Sequence, residues 1–244
     1  MRRAVYTCCA SLLLTAGLAS SHAQDRFASE RQRMVREIEG TQLAVAGEAG
    51  QRTLDPKVMA VMSKVERHRF VRAELTGEAY DNRPLPIGHG QTISQPYIVA
   101  LMSHLMRTNR GDRVLELGTG SGYQAAVLAE LAKEVYTMEI IEPLGRQAAE
   151  RLAQLGYRNV EVKIADGYYG WPEHAPFDSI IVTAAGSHVP PALVKQLKPG
   201  GRMVMPVGTS FLTQHLMLIE KQADGSVTTR QILPVSFVPL TGSH

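Results

Sequence analysis

The chain has 244 residues, 44% of them apolar, with 26 basic against 23 acidic side chains. That length supports one sizeable α/β domain with a modest appendage and is crowded for two large ones. Without residues 1–23, which hold Arg2 and Arg3 and no acid, the balance is 24 basic against 23 acidic, or +1, and so even a balance excludes an electrostatic nucleic-acid binder.

Met1-Arg2-Arg3 precedes an uncharged run over residues 4–21, centred on Leu12, Leu13 and Leu14. Positive charge, apolar run and small residues at Ser21 and Ala23 follow the layout of a secretory signal peptide. Residues 1–23 are therefore expected to be removed, leaving Gln24 at the N-terminus of a periplasmic or secreted protein without stable membrane association. An uncleaved anchor, for which the run is short, and a cytoplasmic protein initiated at Met34 are the other readings. Cys8 and Cys9 are the two cysteines of the chain and both lie in this leader, so a processed chain has no disulfide, zinc–thiolate site or cysteine nucleophile.

Residues 25–47 are charged and helix-prone, with Met34, Ile38 and Leu43 forming a weak apolar stripe. Asp55-Pro56 opens a second helix, Asp as cap and Pro in the first turn, and Val58, Met59, Met62 and Val65 follow at helical spacing. Residues 76–92 read as loop. Ser94 then reads as the cap of a helix over 95–106, with Pro96 near its start.

From Gly111-Asp112 onward the pattern alternates. Strands are expected at 113–117, 135–138, 160–164, 178–183 and 202–207, and helices at 123–131, 143–155 and 191–197, which argues a parallel sheet covered on both faces. Two further strands, 215–221 and 227–233, are joined by the hairpin signal Ala223-Asp224-Gly225-Ser226. The expected fold class is α/β: a seven-stranded, mainly parallel sheet with an antiparallel C-terminal hairpin and an N-terminal helical extension. Residues 24–110 form the helical, substrate-side segment and 111–244 the cofactor-binding core, together one compact domain.

Residues 114–123 read VLELGTGSGY. Gly118, Gly120 and Gly122 allow a sharp turn and close approach to a ligand. A dinucleotide fingerprint needs G-x-G-x-x-G, whereas here Tyr123 occupies the third-glycine position. Glu116, placed at the first strand's end, repels a pyrophosphate and favours a cation; Glu139, at the second strand's end, can accept from two ribose hydroxyls. A ligand with a ribose, a positive charge and no phosphate is S-adenosyl-L-methionine. Asp166, Gly167 and Thr183 also fall at or past strand ends, where ligands of such sheets lie. His89, His104, His174 and His188 show no metal-ligand spacing, and no metal is expected.

Taken together, residues 84–97 (PLPIGHGQTISQPY), 114–124, Glu139, 166–171 (DGYYGW), 175–185 (APFDSIIVTAA), 199–208 and 237–240 (FVPL) make the chain resemble the protein-L-isoaspartate O-methyltransferase family from about residue 25 to residue 240. The resemblance implies a Rossmann-like class I methyltransferase fold. It also implies a repair activity: methylation, with S-adenosyl-L-methionine, of the free α-carboxyl of L-isoaspartyl residues in damaged peptides and proteins, by an enzyme expected to act as a monomer. It makes Ser94 the active-site residue, with Gln91, Thr92 and Ile93 beside it on the substrate side. The acceptor carboxylate has a pKa near ~3.5 to 4 and needs no general base. Ser94 can also be a plain helix cap. Ser236 stands where the family commonly has arginine. Another acceptor, or an exported binding protein without activity, are the competing functions; the absence of N/D-P-P-Y at the fourth strand end, where Thr183-Ala184-Ala185 stands, argues against a nucleic-acid amine.

Overall fold

The computed structural model describes residues 25–209 and 213–242; the expected leader, 1–23, lies outside the described residues. The N-terminal layer begins with α1 (Ala28–Ala44), which buries Arg31, Met34, Ile38 and Gln42 at steps of three and four. Leu43, expected on the buried stripe, is 54% exposed. Gln42 turns inward in its place, donating to the Gln51 carbonyl at 2.6 Å and accepting from the Tyr97 hydroxyl at 3.1 Å. After α2 (Ala46–Ala49), α3 (Pro56–Lys64) starts as the sequence indicates, with the Asp55 carboxylate accepting the Lys57 N–H at 2.8 Å.

The stretch expected to be loop contains a hairpin, β1 (Leu85–Gly88) and β2 (Gln91–Ile93). His89 and Gly90 turn it with φ of 53° and 72°, the left-handed pair that matches the twist of two joined strands. The signal is the G-H-G triplet, masked because histidine occupies a position usually given to Asn, Asp or Gly. α4 (Pro96–Met106) follows, and its N-cap is Gln95, not Ser94. The capping acceptor comes from elsewhere: the Asn82 side chain takes the Tyr97 N–H at 3.0 Å.

The core elements run β3 (Arg113–Leu117), α5 (Tyr123–Leu131), β4 (Glu134–Glu139), α6 (Glu142–Gln154), β5 (Val160–Ile164), β6 (Phe177–Val182), α7 (Pro191–Gln196), β7 (Leu197–Val207), β8 (Gln214–Lys221) and β9 (Val227–Val235). They form one seven-stranded sheet in the order β5-β4-β3-β6-β7-β8-β9. Pairs from β5 to β7 are parallel, and β7–β8 and β8–β9 antiparallel, as the alternation of strand and helix signals predicts. β7 starts at Leu197 rather than at 202, because Leu197 pairs with Phe177 across a register irregularity that the intervening Pro199-Gly200-Gly201 produces. Val114, Ile181 and Val204 on one sheet face share a buried cluster with Met34, Tyr97 and Tyr123 of the helices, while Leu115, Leu117, Phe177 and Leu193 pack on the other face. The chain leaves β3 toward β4 on one side and returns from β5 to β6 on the other. The crevice opened by that reversal lies at the carboxyl ends of the strands.

Candidate active site

The turn after β3 occupies this crevice. Its N–H groups are largely spent inside the protein: those of Gly118 and Thr119 donate to the Met138 carbonyl at 2.8 and 3.1 Å, Gly120 to a Glu139 carboxylate oxygen at 2.8 Å, and Gly122 to the Thr119 carbonyl at 2.8 Å. A phosphate cradle needs such groups free, so the loop is built for a ligand without phosphate. The Glu139 carboxylate also accepts the Ile141 N–H at 2.9 Å. One hydrogen bond on each oxygen leaves each a further acceptor position, which is what two ribose hydroxyls require.

Thr183 lies just past the end of β6. Its hydroxyl lies 2.9 Å from the Leu117 carbonyl and 2.7 Å from that of Gly118, pinning the turn from the opposite side. Gly118 has φ of 94°, and a Cβ there would overlap the Thr183 hydroxyl. Gly167 is required by proximity, since a Cβ would sit 2.9 Å from Leu117 Cδ2. Asp166 caps the 3-10 turn Gly167–Tyr169, accepting the Tyr168 N–H at 3.0 Å.

Glu116 departs from its expected place. It lies within β3, one residue before the strand's end at Leu117, is fully buried, and is not among the residues lining the crevice. Its carboxylate oxygens make no hydrogen bond. Burial pushes its pKa up to about 8; the Thr137 hydroxyl pulls downward without a well-directed bond, being engaged with Thr119 at 2.7 Å, and Glu139 adds a push upward. An unpartnered buried carboxyl is favoured in its neutral form at neutral pH. A carboxyl raised from 4.5 to about 8 on folding contributes stability that is full below pH 4.5 and lost as pH rises through about 8. Glu116→Gln should therefore flatten the fall in melting temperature of the ligand-free protein between pH 5 and 9, as read by calorimetry; an unchanged slope would show that Glu116 titrates as an ordinary carboxylate.

The cleft is lined by Gln91, Thr92, Ile93 and Ser94 from β2 and its exit, by Gly118 and Gly120, by Glu139, and by Gly167 and Thr183. The structure thus brings nine sequence-derived positions together. Glu116, Gly122 and Asp166 stand outside the lining; Gly122 faces α6, where a Cβ would meet Leu152 at 3.2 Å. Sequence reasoning missed Ile140, Val238, Pro239 and Leu240. The last three run beside β6 through Ala185, whose N–H donates to the Val238 carbonyl and whose carbonyl accepts from Leu240, both at 2.8 Å.

A second cavity adjoins the first. Thr92, Ser94, Thr183 and Val238 line both, so the hydroxyl of Ser94, half-buried and without a hydrogen-bond partner among the described residues, stands at the junction of the two. The α4 N-terminus has little to offer an anion, because Pro96 has no N–H and the Tyr97 N–H is already taken by Asn82.

Residues 43–244 match the sequence family described as Protein-L-isoaspartate(D-aspartate) O-methyltransferase (PCMT). The chain belongs to the protein-L-isoaspartate(D-aspartate) O-methyltransferase family. Among its relatives in that family, Protein-L-isoaspartate O-methyltransferase 1 of Cupriavidus necator is 62% identical over 96% of this chain and 91% of its own length. A solved protein-L-isoaspartate O-methyltransferase superposes with a TM-score of 0.76 at 27% identity, over 87% of this chain and 66% of that one. A Plasmodium falciparum protein-L-isoaspartate O-methyltransferase, solved in complex with S-adenosyl-L-homocysteine, shares the fold with a TM-score of 0.71 at 24% identity over 86% of this chain and 98% of that one.

Proposed function

We infer that this chain is a protein-repair methyltransferase that transfers a methyl group from S-adenosyl-L-methionine to the free α-carboxyl of L-isoaspartyl residues in damaged peptides and proteins. The observation that carries this reading is the junction: a cleft suited to a ribose-bearing, phosphate-free cation meets a second, uncharged cavity at a free serine hydroxyl. When bound, S-adenosyl-L-methionine supplies an electrophilic methyl group on a sulfonium. The protein's part is to bind, orient and dry the acceptor. Glu139 holds the cofactor ribose, Gly118 and Gly120 let the backbone come close, and Gly167 keeps the floor of the cleft open.

Ser94 and Thr92 donate to the acceptor carboxylate from the wall between the cavities, with Gln91 and Ile93 shaping that wall. The carboxylate is ionised at neutral pH, so the rate gain comes from proximity and from exchange of water for fixed donors, with no proton to remove. A methyl-transfer assay with an isoaspartyl peptide and its normal aspartyl twin tests the function: labelling confined to the isoaspartyl form is expected, and equal labelling of both, or none, rejects it. A hydrogen bond to a charged group contributes about 1.5–3 kcal/mol, so Ser94→Ala should lower kcat/KM for the isoaspartyl peptide by about ten- to a hundredfold and leave S-adenosyl-L-homocysteine affinity unchanged. Loss of cofactor affinity instead would move Ser94 to the other side of the junction.

We propose separately that the enzyme works outside the inner membrane, supported by the order of charge, apolar run and small residues over 1–23. The N-terminal mass of the protein from fractionated cells tests it: a start at Gln24 in the periplasmic or secreted fraction is expected, and an intact Met1 or a Met34 start in cytosol rejects it.

A further inference from the structure

Of the segment 166–171, only Gly167 lines the cleft, and the segment is gripped from outside the cleft by α7. Gln196, the last residue of that helix, is 9% exposed; its side chain donates to the Tyr169 carbonyl and accepts the Trp171 N–H, both at 2.8 Å. Both polar ends of one amide are thereby spent on the backbone groups that flank Gly170, where a Cβ would overlap the amide. The base of this arm is fixed. Leu193 and Leu197 are buried, and the Lys221 ammonium donates to the Val194 and Leu197 carbonyls at 2.9 and 2.8 Å. The grip reaches the cleft through the hydrogen bond from the Gly170 N–H to the Gly167 carbonyl at 2.9 Å. Gly167 in turn packs against Leu117, the residue before Gly118, too closely for a side chain.

We propose that Gln196 is a positioning residue for the base of the cofactor: by clamping residues 169–171 it fixes the Gly167 wall against which the base lies. The proposal rests on the cofactor reading of the cleft and not on the identity of the acceptor. Sheet order directs the base there. Glu139, the ribose acceptor, closes β4, whereas Ser94 meets Thr183 past the end of β6, two strands away. A nucleoside with its hydroxyls on Glu139 and its sulfur-bearing C5′ toward Ser94 carries its base on the opposite side of the sugar ring, away from β6. Ile140 and Gly167 line the cleft on that side, and Gly167 follows Ala165, whose N–H donates to the Glu139 carbonyl at 3.0 Å. A 3-10 turn of three residues has poor hydrogen bonding of its own, so its position depends on the clamp. A wall held in place before the ligand arrives spares the cost of ordering it on binding.

Gln196→Met keeps the length of the side chain and removes both bonds, leaving the Trp171 N–H without its acceptor. By titration calorimetry it should weaken S-adenosyl-L-homocysteine binding by about ten- to thirtyfold. It should raise KM for S-adenosyl-L-methionine by a similar factor, with kcat at saturating cofactor and KM for the isoaspartyl peptide within about twofold of wild type. A general loss of structure would move all of these together. Gln196→Glu gives an independent readout. Its ionised carboxylate still accepts the Trp171 N–H but has no proton for the Tyr169 carbonyl, whereas the neutral acid can make both bonds. The variant-to-wild-type ratio of dissociation constants should therefore fall from about tenfold at pH 8 to about threefold or less at pH 5. Asp166 on the turn, His188, which meets Tyr168 at 3.0 Å, and Lys221 on α7 are present in both proteins and cancel in that ratio. Affinity of Gln196→Met within about twofold of wild type, or a Gln196→Glu ratio that does not change with pH, overturns the proposal. If Gln196→Met does not fold, the Gln196→Glu ratio decides by itself. Absence of isoaspartyl labelling by the wild type would reject the repair activity alone, since calorimetry still decides on Gln196.

Discussion

Glu139→Ala is expected to weaken S-adenosyl-L-homocysteine binding by at least a hundredfold and to abolish measurable methyl transfer. The side chain is 6% exposed and accepts the Gly120 N–H at 2.8 Å and the Ile141 N–H at 2.9 Å. It therefore latches the glycine turn to the end of β4 before any ligand arrives. Hydrogen bonds to a charged group contribute about 1.5–3 kcal/mol each, so loss of the two to the turn costs about 3–6 kcal/mol of turn order, and loss of the two acceptor positions for ribose hydroxyls costs about as much again, or roughly 10²- to 10⁴-fold, in affinity. Glu139→Gln separates charge from geometry. An amide has one acceptor oxygen, and its NH₂ would face one of the two backbone N–H donors, so this near-isosteric change should also cost at least about tenfold in affinity and lower the melting temperature of the ligand-free protein. Titration calorimetry and thermal melting read both quantities. Wild-type affinity in Glu139→Gln would show that the carboxylate is a bystander to the turn.

Strand signals and strand ends were not equally legible in the sequence. β3, β4 and β6 are buried on both faces and carry apolar side chains on both, at Val114 and Leu115, Val135 and Tyr136, and Ile180 and Ile181, and Glu139 closes such a strand at its observed end. At Glu116 the expected span of β3, 113–117, holds, yet an acid one residue before the strand's end reads as facing the ligand. Register resolves it: Glu116 pairs with Thr137 and Ile181, and Leu117 still pairs with Met138 and Val182, so the ladder continues past the glutamate. Ser94 looked like a cap because caps are usually local; Asn82, twelve residues upstream, took that role and left the serine hydroxyl free. Val238, Pro239 and Leu240 belong to the FVPL segment that carries the family resemblance, but their apolar side chains hold no chemistry that would assign them to the cleft. Only the backbone pairing to Ala185 brings them to the cleft.

A different residue controls whether the turn can form at all. Gly118→Ala should leave the protein folded but without detectable S-adenosyl-L-homocysteine binding at concentrations that saturate the wild type. Two costs coincide there. The backbone φ of 94° is disfavoured for any side chain, and the added methyl would occupy the space of the Thr183 hydroxyl, which itself ties down the Leu117 and Gly118 carbonyls. Overpacking costs about 1–3 kcal/mol and left-handed backbone about 1–2 kcal/mol, together about thirtyfold to several thousandfold in affinity if borne by the bound state. The double variant Gly118→Ala with Thr183→Ala removes the overlap but keeps the backbone strain, so it should recover part of the lost affinity, about tenfold. Thr183→Ser in the same background keeps the oxygen and should recover none. Gly111→Ala is the control, because nothing lies within 4 Å of a Cβ at that position. Binding by Gly118→Ala at wild-type strength would mean that the turn opens away from Thr183 when it takes its ligand. In that case the contact would belong to the ligand-free protein alone.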